Sequence, residues 1–433
     1  MFFLAWCVMT VAVAFFFRIA IKLRSAPLII SLMFFTLIYV VRPGMLLLGA
    51  NLIDPALFGK PDVLATGALA YALVYVLTAL LTVMFLIGSQ GMFGAGVYPS
   101  VGPKIDRLVM LAAIVFTLVS IPIGLQLYMK YGSIQGVLYA SKISKDLQGT
   151  FGVRQIVGLG AFFSATTFLG EWQGARRLLP SLLFAGMFFV DLFIFSLWGS
   201  RLEPFVLLSG VMLVMVSKNG IITGKSLLSF VVLGALLLGS ATFLYIYRLA
   251  ELAGSWEVAM SRDLATTTAV SLHMTRFDSL MLVVQDFLSS RNSREGADFM
   301  NGLYMSVPRF LWPGKPESLL IGQWFRQWYE PDAVNGWTVG GPGEYLVNFG
   351  LLGVTIGGVV YGLLLTAAHN GFRKMGRQHP LSIMTSFVMI LIVAPEGSII
   401  QIIPRIILWC IPIWGICFLS RTRLSARQQV AAR

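Results

Sequence analysis

Of the 433 residues, 57% are hydrophobic and 12% charged, where an ordinary soluble domain carries about 25% charged residues. This balance excludes a soluble globular protein and describes a polytopic membrane protein. The net charge of +13 belongs mainly to short basic loops between apolar runs, so it reports membrane orientation and no nucleic acid is expected as a partner.

A helix needs about 20 mainly apolar residues to cross the hydrocarbon core, and eleven stretches of the chain meet or approach that length. They run from 2 to 21, 27 to 48, 63 to 87, 108 to 129, 155 to 170, 179 to 198, 204 to 217, 226 to 247, 349 to 367, 381 to 395 and 401 to 420. The first lacks a basic stretch before it and a small-residue cleavage pattern after it, so it reads as a retained span. Every second connection is basic: Lys22 and Arg24, Lys104 and Arg107, Arg176 and Arg177, Lys218 and Lys225, then Arg373, Lys374 and Arg377. Short basic loops stay in the cytoplasm, which puts the N-terminus outside and the tail inside. The expected organisation is all-α: an N-terminal bundle of eight spans (1–247), a large external segment (248–348), three C-terminal spans (349–420) and a basic cytoplasmic tail (421–433). Cys7, Cys410 and Cys417 lie inside apolar runs, without disulfide or metal spacing.

The external segment is the expected working part, because long polar loops in compact proteins are usually functional. Within it, residues 264 to 289 repeat apolar positions every three or four residues and predict a helix. A second helix is expected from Glu317 to Tyr329, whose Trp324 and Trp328 suit a headgroup-level surface or packing on the bundle. GGPGE (340–344) lacks the Lys and Ser/Thr of a phosphate-binding loop and reads as a flexible turn into the ninth span.

The chemistry available outside is cationic. Arg154, Arg201, Arg276, Arg309 and Arg405 all fall on the outer side, and a guanidinium fork suits a phosphate better than any other side chain. Arginines at helix ends also snorkel to headgroups, and that reading stands beside the first. His273 is the one outward histidine, and Glu344, Glu396 and Asp278 are the carboxylates placed to take a proton. Asp191 lies inside a span, where a structural ion pair with a neighbouring helix is the simplest expectation. Glu330 and Asp332 have acid-x-acid spacing, but two carboxylates do not fill a metal's shell. No metal and no cofactor are expected.

SVPRFLWPGKP, followed by GGPGEYLVNFGLLG at the mouth of a span, together with GSR after an earlier span, resembles the Wzy-type polymerases of O-antigen and exopolysaccharide repeat units. The resemblance implies a membrane-embedded glycosyltransferase related to the GT-C fold class, in the bacterial cytoplasmic membrane with its site on the outer, periplasmic face. Its substrate would be an oligosaccharide carried on undecaprenyl pyrophosphate among the membrane lipids, with a chain-length regulator and a flippase as further partners. It implies substrate-binding roles for Arg154, Arg201, Arg276, Arg309 and Arg405 and a catalytic role for Glu344, while His273 is the catalytic candidate that a related ligase would depend on. An O-antigen ligase and a lipid-linked glycan flippase or transporter stay open as alternatives.

Overall fold

The computed structural model describes residues 1–23, 25–52, 54–89, 103–134, 150–173, 178–198, 276–289, 293–307, 312–316, 321–331, 336–374 and 399–416, with a few isolated positions besides. Every regular element among them is helical. Among the described residues, six helices are long and apolar enough to cross a membrane: Phe2–Lys22, Pro27–Leu47, Pro61–Ile87, Arg107–Tyr131, Leu178–Ser196 and Gly340–Asn370. The expected span at 226–247, nearly all of 204–217 and 381–395, the helix before residue 276 and the basic tail lie outside the described residues.

We label the helices α1 (Phe2–Lys22), α2 (Ala26–Thr36), α3 (Arg42–Leu47), α4 (Pro61–Ser89), α5 (Pro103–Tyr131), α6 (Phe151–Gln173) and α7 (Leu178–Ser196). After them come α8 (Arg276–Ser289), α9 (Ala297–Ser306), α10 (Ile321–Gln327), α11 (Gly340–Lys374) and α12 (Ile399–Arg405). Between α2 and α3 the chain widens into a π-helical turn, Leu37–Val41, and a second one, Ile406–Cys410, follows α12. Such turns inside helices often mark functional sites.

Two packed groups result. In the first, α11 lies along α4, and α1, α2 and α8 close around them. The inner stripe of α4 is built from small residues, Ala65, Ala68, Ala72 and Ala79, all buried. A side chain at Gly358 or Gly362 of α11 would run into the α4 backbone at Tyr75 and Ala79. In lipid, apolar surface gives helices no reason to associate, and close backbone approach through small residues supplies dispersion contacts instead. The second group is α5, α6 and α7. Outward faces such as Leu178, Leu179, Leu182 and Phe189 stay exposed, as a lipid-facing surface requires. The π-helical turn 406–410 packs on α6, while α12 before it packs along α9.

α11 is two helices. Gly350 has φ 64° and ψ −154°, a reversal that residues with a Cβ rarely adopt. A side chain at Gly357 would collide with the Tyr345 ring, although these positions would be about 18 Å apart along a straight helix. The arm 340–349 therefore folds back on the arm that starts at 351, and the spanning length belongs to the second arm. GGPGE differs from its expected flexible turn: it opens the short arm, with residues 340–348 all buried. Pro342 fits there because the first turn of a helix has no partner for its N–H in any case.

Candidate functional site

The folded-back arm carries Glu344 inward, to 1% exposure. Glu344 lies within electrostatic reach of the Tyr75 and Tyr345 hydroxyls. Around it, aromatic rings from three spans meet: Tyr75 stands 6.1 Å from Tyr345 and 5.5 Å from Tyr361, and Phe35 is 5.4 Å from Tyr361. Tyr39, on the π-helical turn, joins them through Phe35 at 5.6 Å. The widened turn matters here, since it changes the direction in which Tyr39 and the following Arg42 leave the helix.

Arg276 enters this cluster from the N-terminus of α8. It is buried and sits within reach of the Tyr39 hydroxyl. Burial pushes its guanidinium down to about 9, with Tyr39 pulling the other way, so it keeps its charge at neutral pH. Asp278, expected as a possible base, is engaged otherwise: Arg42 donates from Nε to its Oδ1 at 2.9 Å and from Nη2 to its Oδ2 at 2.6 Å, with both side chains fully buried. Arg42 Nη2 also donates to the Asn51 carbonyl at 2.7 Å. Arg42 escaped the reading of the sequence. Its signal was available, because it is the only charge in the apolar run LIYVVRPGMLLL.

A polar clasp holds the folded-back arm from outside. Asn348 Nδ2 donates to Asp298 Oδ2 at 2.8 Å and to the Glu344 carbonyl at 2.9 Å. Arg294 Nε donates to the same Asp298 oxygen at 3.0 Å, its backbone N–H bonds the Val347 carbonyl, and its guanidinium lies 4.7 Å over the Trp324 ring. The segment 293–298 is thereby fastened to α11 next to Glu344.

A second cationic place forms where α6 meets the turn after α12. Half-buried Arg154 and buried Arg405 lie within electrostatic reach of one another. Arg154 stacks 5.4 Å over the Phe195 ring, and Trp409 donates to Gln155 Oε1 at 2.6 Å, which locks the two segments together. Arg154 belongs to the first turn of α6, which starts earlier than the expected span. The two places are joined through α9, since Phe299 packs on Tyr345 at 5.7 Å while the helix itself lies along α12.

The described residues thus bring Arg154 to Arg405 and put Arg276 near Glu344 through the tyrosines. His273, Arg201, Arg309, Glu396 and Asp332 lie outside the described residues. Glu330 pairs with Arg326 at the surface. α10 is shorter than expected, and the expected helical residues before Ile321 lie outside the described residues. Among the described residues no group of three or more His, Cys, Asp or Glu could hold a metal ion. Among the described residues Asp191 has no ion-pair partner, and its Oδ2 accepts from Thr117 Oγ1 at 2.6 Å and Ser164 Oγ at 3.2 Å. Comparison with family models, curated proteins and solved structures gives no match for this chain.

Proposed function

We propose that this protein is a polymerase of lipid-linked oligosaccharide repeat units, a membrane-embedded glycosyltransferase of the Wzy type with eleven spans and a GT-C-like arrangement. It would work on the outer face of a bacterial cytoplasmic membrane. The observation that carries the reading is that Arg154 and Arg405, from distant parts of the chain, lie within electrostatic reach of one another inside an apolar helical protein. Two like charges held together in low dielectric repel strongly. An anion between them turns that repulsion into charge-assisted hydrogen bonding, and a diphosphate offers such an anion.

In this reading the arginines neutralise the undecaprenyl pyrophosphate of the donor, so that the bond between its anomeric carbon and the phosphate oxygen breaks with the electron pair leaving on the diphosphate. The acceptor hydroxyl of the next repeat unit forms the new bond to that carbon, and its proton passes to Glu344. The rings around Glu344 give a sugar apolar faces with hydroxyl edges.

The test is a deletion strain complemented with variants, with surface glycan length as readout. Loss of the gene should leave single repeat units on the surface. Arg405→Ala should do the same at normal protein abundance, and Arg405→Lys should restore part of the length, keeping charge without the bidentate fork. Complete loss of long chains from the surface, with polymer still accumulating on the lipid carrier, would instead identify a ligase. Wild-type glycan in the deletion strain would end the reading.

A further inference from the structure

Gln155 follows Arg154 near the start of α6 and is 1% exposed. Its amide is held at one end only. Trp409 Nε1 donates to Oε1 at 2.6 Å, and because an indole N–H can only donate, the oxygen of the amide must face it. Nε2, with two N–H donors, is thereby turned away from Trp409, and it is buried with no hydrogen-bond partner among the described residues. Turning the amide over would set N–H against N–H and satisfy neither group. A buried donor without an acceptor is costly, so this one calls for an acceptor from outside the chain.

The surroundings say which kind. Arg154 lies over the Phe195 ring at 5.4 Å. One turn further along α6, a Cβ at Gly158 would stand 2.7 Å from the Trp409 ring and 2.9 Å from the Phe195 ring. Phe195 under Arg154 and Trp409 on the Gln155 amide therefore flank the same turn of α6. Arg405, about one turn before Trp409, lies within electrostatic reach of Arg154. Two guanidinium groups and an amide nitrogen offer donors only, which suits a group carrying several acceptor oxygens and negative charge. The amide adds a directed donor without adding a third positive charge to the repulsion between the arginines. We propose that Gln155 is a third ligand of the diphosphate bound by Arg154 and Arg405, donating from Nε2 to a phosphate oxygen, with Trp409 as the residue that positions it. The assignment rests on the reading of the two arginines as the diphosphate site.

Pyrophosphate is titrated at constant ionic strength into the full-length protein in detergent, and the dissociation constant is read by calorimetry. Gln155→Leu keeps the size, removes the donor and should weaken pyrophosphate binding by about 10- to 150-fold. Gln155→Glu keeps an acceptor for the Trp409 N–H, so a role confined to packing would leave binding as it is. As a phosphate ligand the position should lose at least as much affinity with glutamate as with leucine, because a carboxylate offers no donor and repels the anion. Trp409→Phe should give a smaller loss, and combining it with Gln155→Leu should add little, since Trp409 acts on the anion only through the amide. The glutamate and phenylalanine variants keep the test decisive if Gln155→Leu does not fold. Wild-type affinity in Gln155→Glu would overturn the role of Gln155 alone, and losses that simply add would overturn the positioning role of Trp409. A wild-type protein that takes up no pyrophosphate would overturn the diphosphate site together with Gln155, whereas wild-type glycan in the deletion strain would end the polymerase reading and leave Gln155 as an anion ligand.

Discussion

At the scale of single residues, the buried charges differ in how they are held. Arg42 and Asp278 satisfy each other through two hydrogen bonds in a fully buried place, so removing one partner strands the other. Arg42→Ala is expected to destabilise the protein by about 3–5 kcal/mol. The double replacement Arg42→Met with Asp278→Leu should recover most of that loss, which thermal melting in detergent would measure. Asp286 behaves differently. Burial raises its carboxyl above the usual range, although Tyr329 donates to its Oδ1 at 2.7 Å and opposes the shift. A raised value means that the folded state holds the proton more tightly than the unfolded chain does. The resulting stabilisation is complete below the ordinary carboxylate range and fades as pH rises through the raised value. Melting points between pH 4 and 7 should therefore fall less with rising pH in Asp286→Asn than in the wild type, and identical profiles would refute the assignment.

At the scale of elements, the reversal at Gly350 does the most for the candidate site. It turns ten residues that would extend a span into an arm that delivers Glu344 to Tyr75 and Tyr345. Alanine in that left-handed backbone costs about 1–2 kcal/mol, and straightening the arm would withdraw Glu344 from the rings. Gly350→Ala is expected to lower polymer length more than it lowers protein abundance, whereas Gly362→Val, which strikes the α4 backbone at Ala79, should lower both together. Immunoblots run beside glycan gels separate these outcomes. Glu344→Gln, which preserves shape and removes the proton acceptor, should shorten the polymer at unchanged abundance; full-length glycan in that variant would exclude Glu344 as the base.

At the scale of the whole molecule, the alternation of basic loops predicts that Ser293 faces outward and Ser382 inward. Ser293 is solvent-exposed beside the clasp on α11, so a cysteine there should react with a membrane-impermeant thiol reagent in intact cells, while one at 382 should react only after permeabilisation. The reverse pattern would invert the membrane orientation and move the arginines to the cytoplasmic face. Such an inversion would leave the helix packing intact, because the small-residue contact of α4 with α11 is indifferent to which side is outside.

The apolar runs were enough to establish the helical membrane class, because spanning lipid demands length and backbone hydrogen bonding within each segment. The same runs marked Asp191 and Arg405 as charges that needed an explanation. What each charge meets was not legible, since partners such as Arg42 and Asp278, or Gln155 and Trp409, come from remote segments and follow no local period. GGPGE shows the limit most clearly. Its glycines and proline permit a loose turn and a tightly packed helical arm equally well in local terms, and only contact with α4, α8 and the clasp decided for the arm. Local sequence specifies which backbone shapes are allowed; tertiary packing selects among them, and that selection brought Glu344 and Arg276 to the tyrosines and Arg154 within electrostatic reach of Arg405.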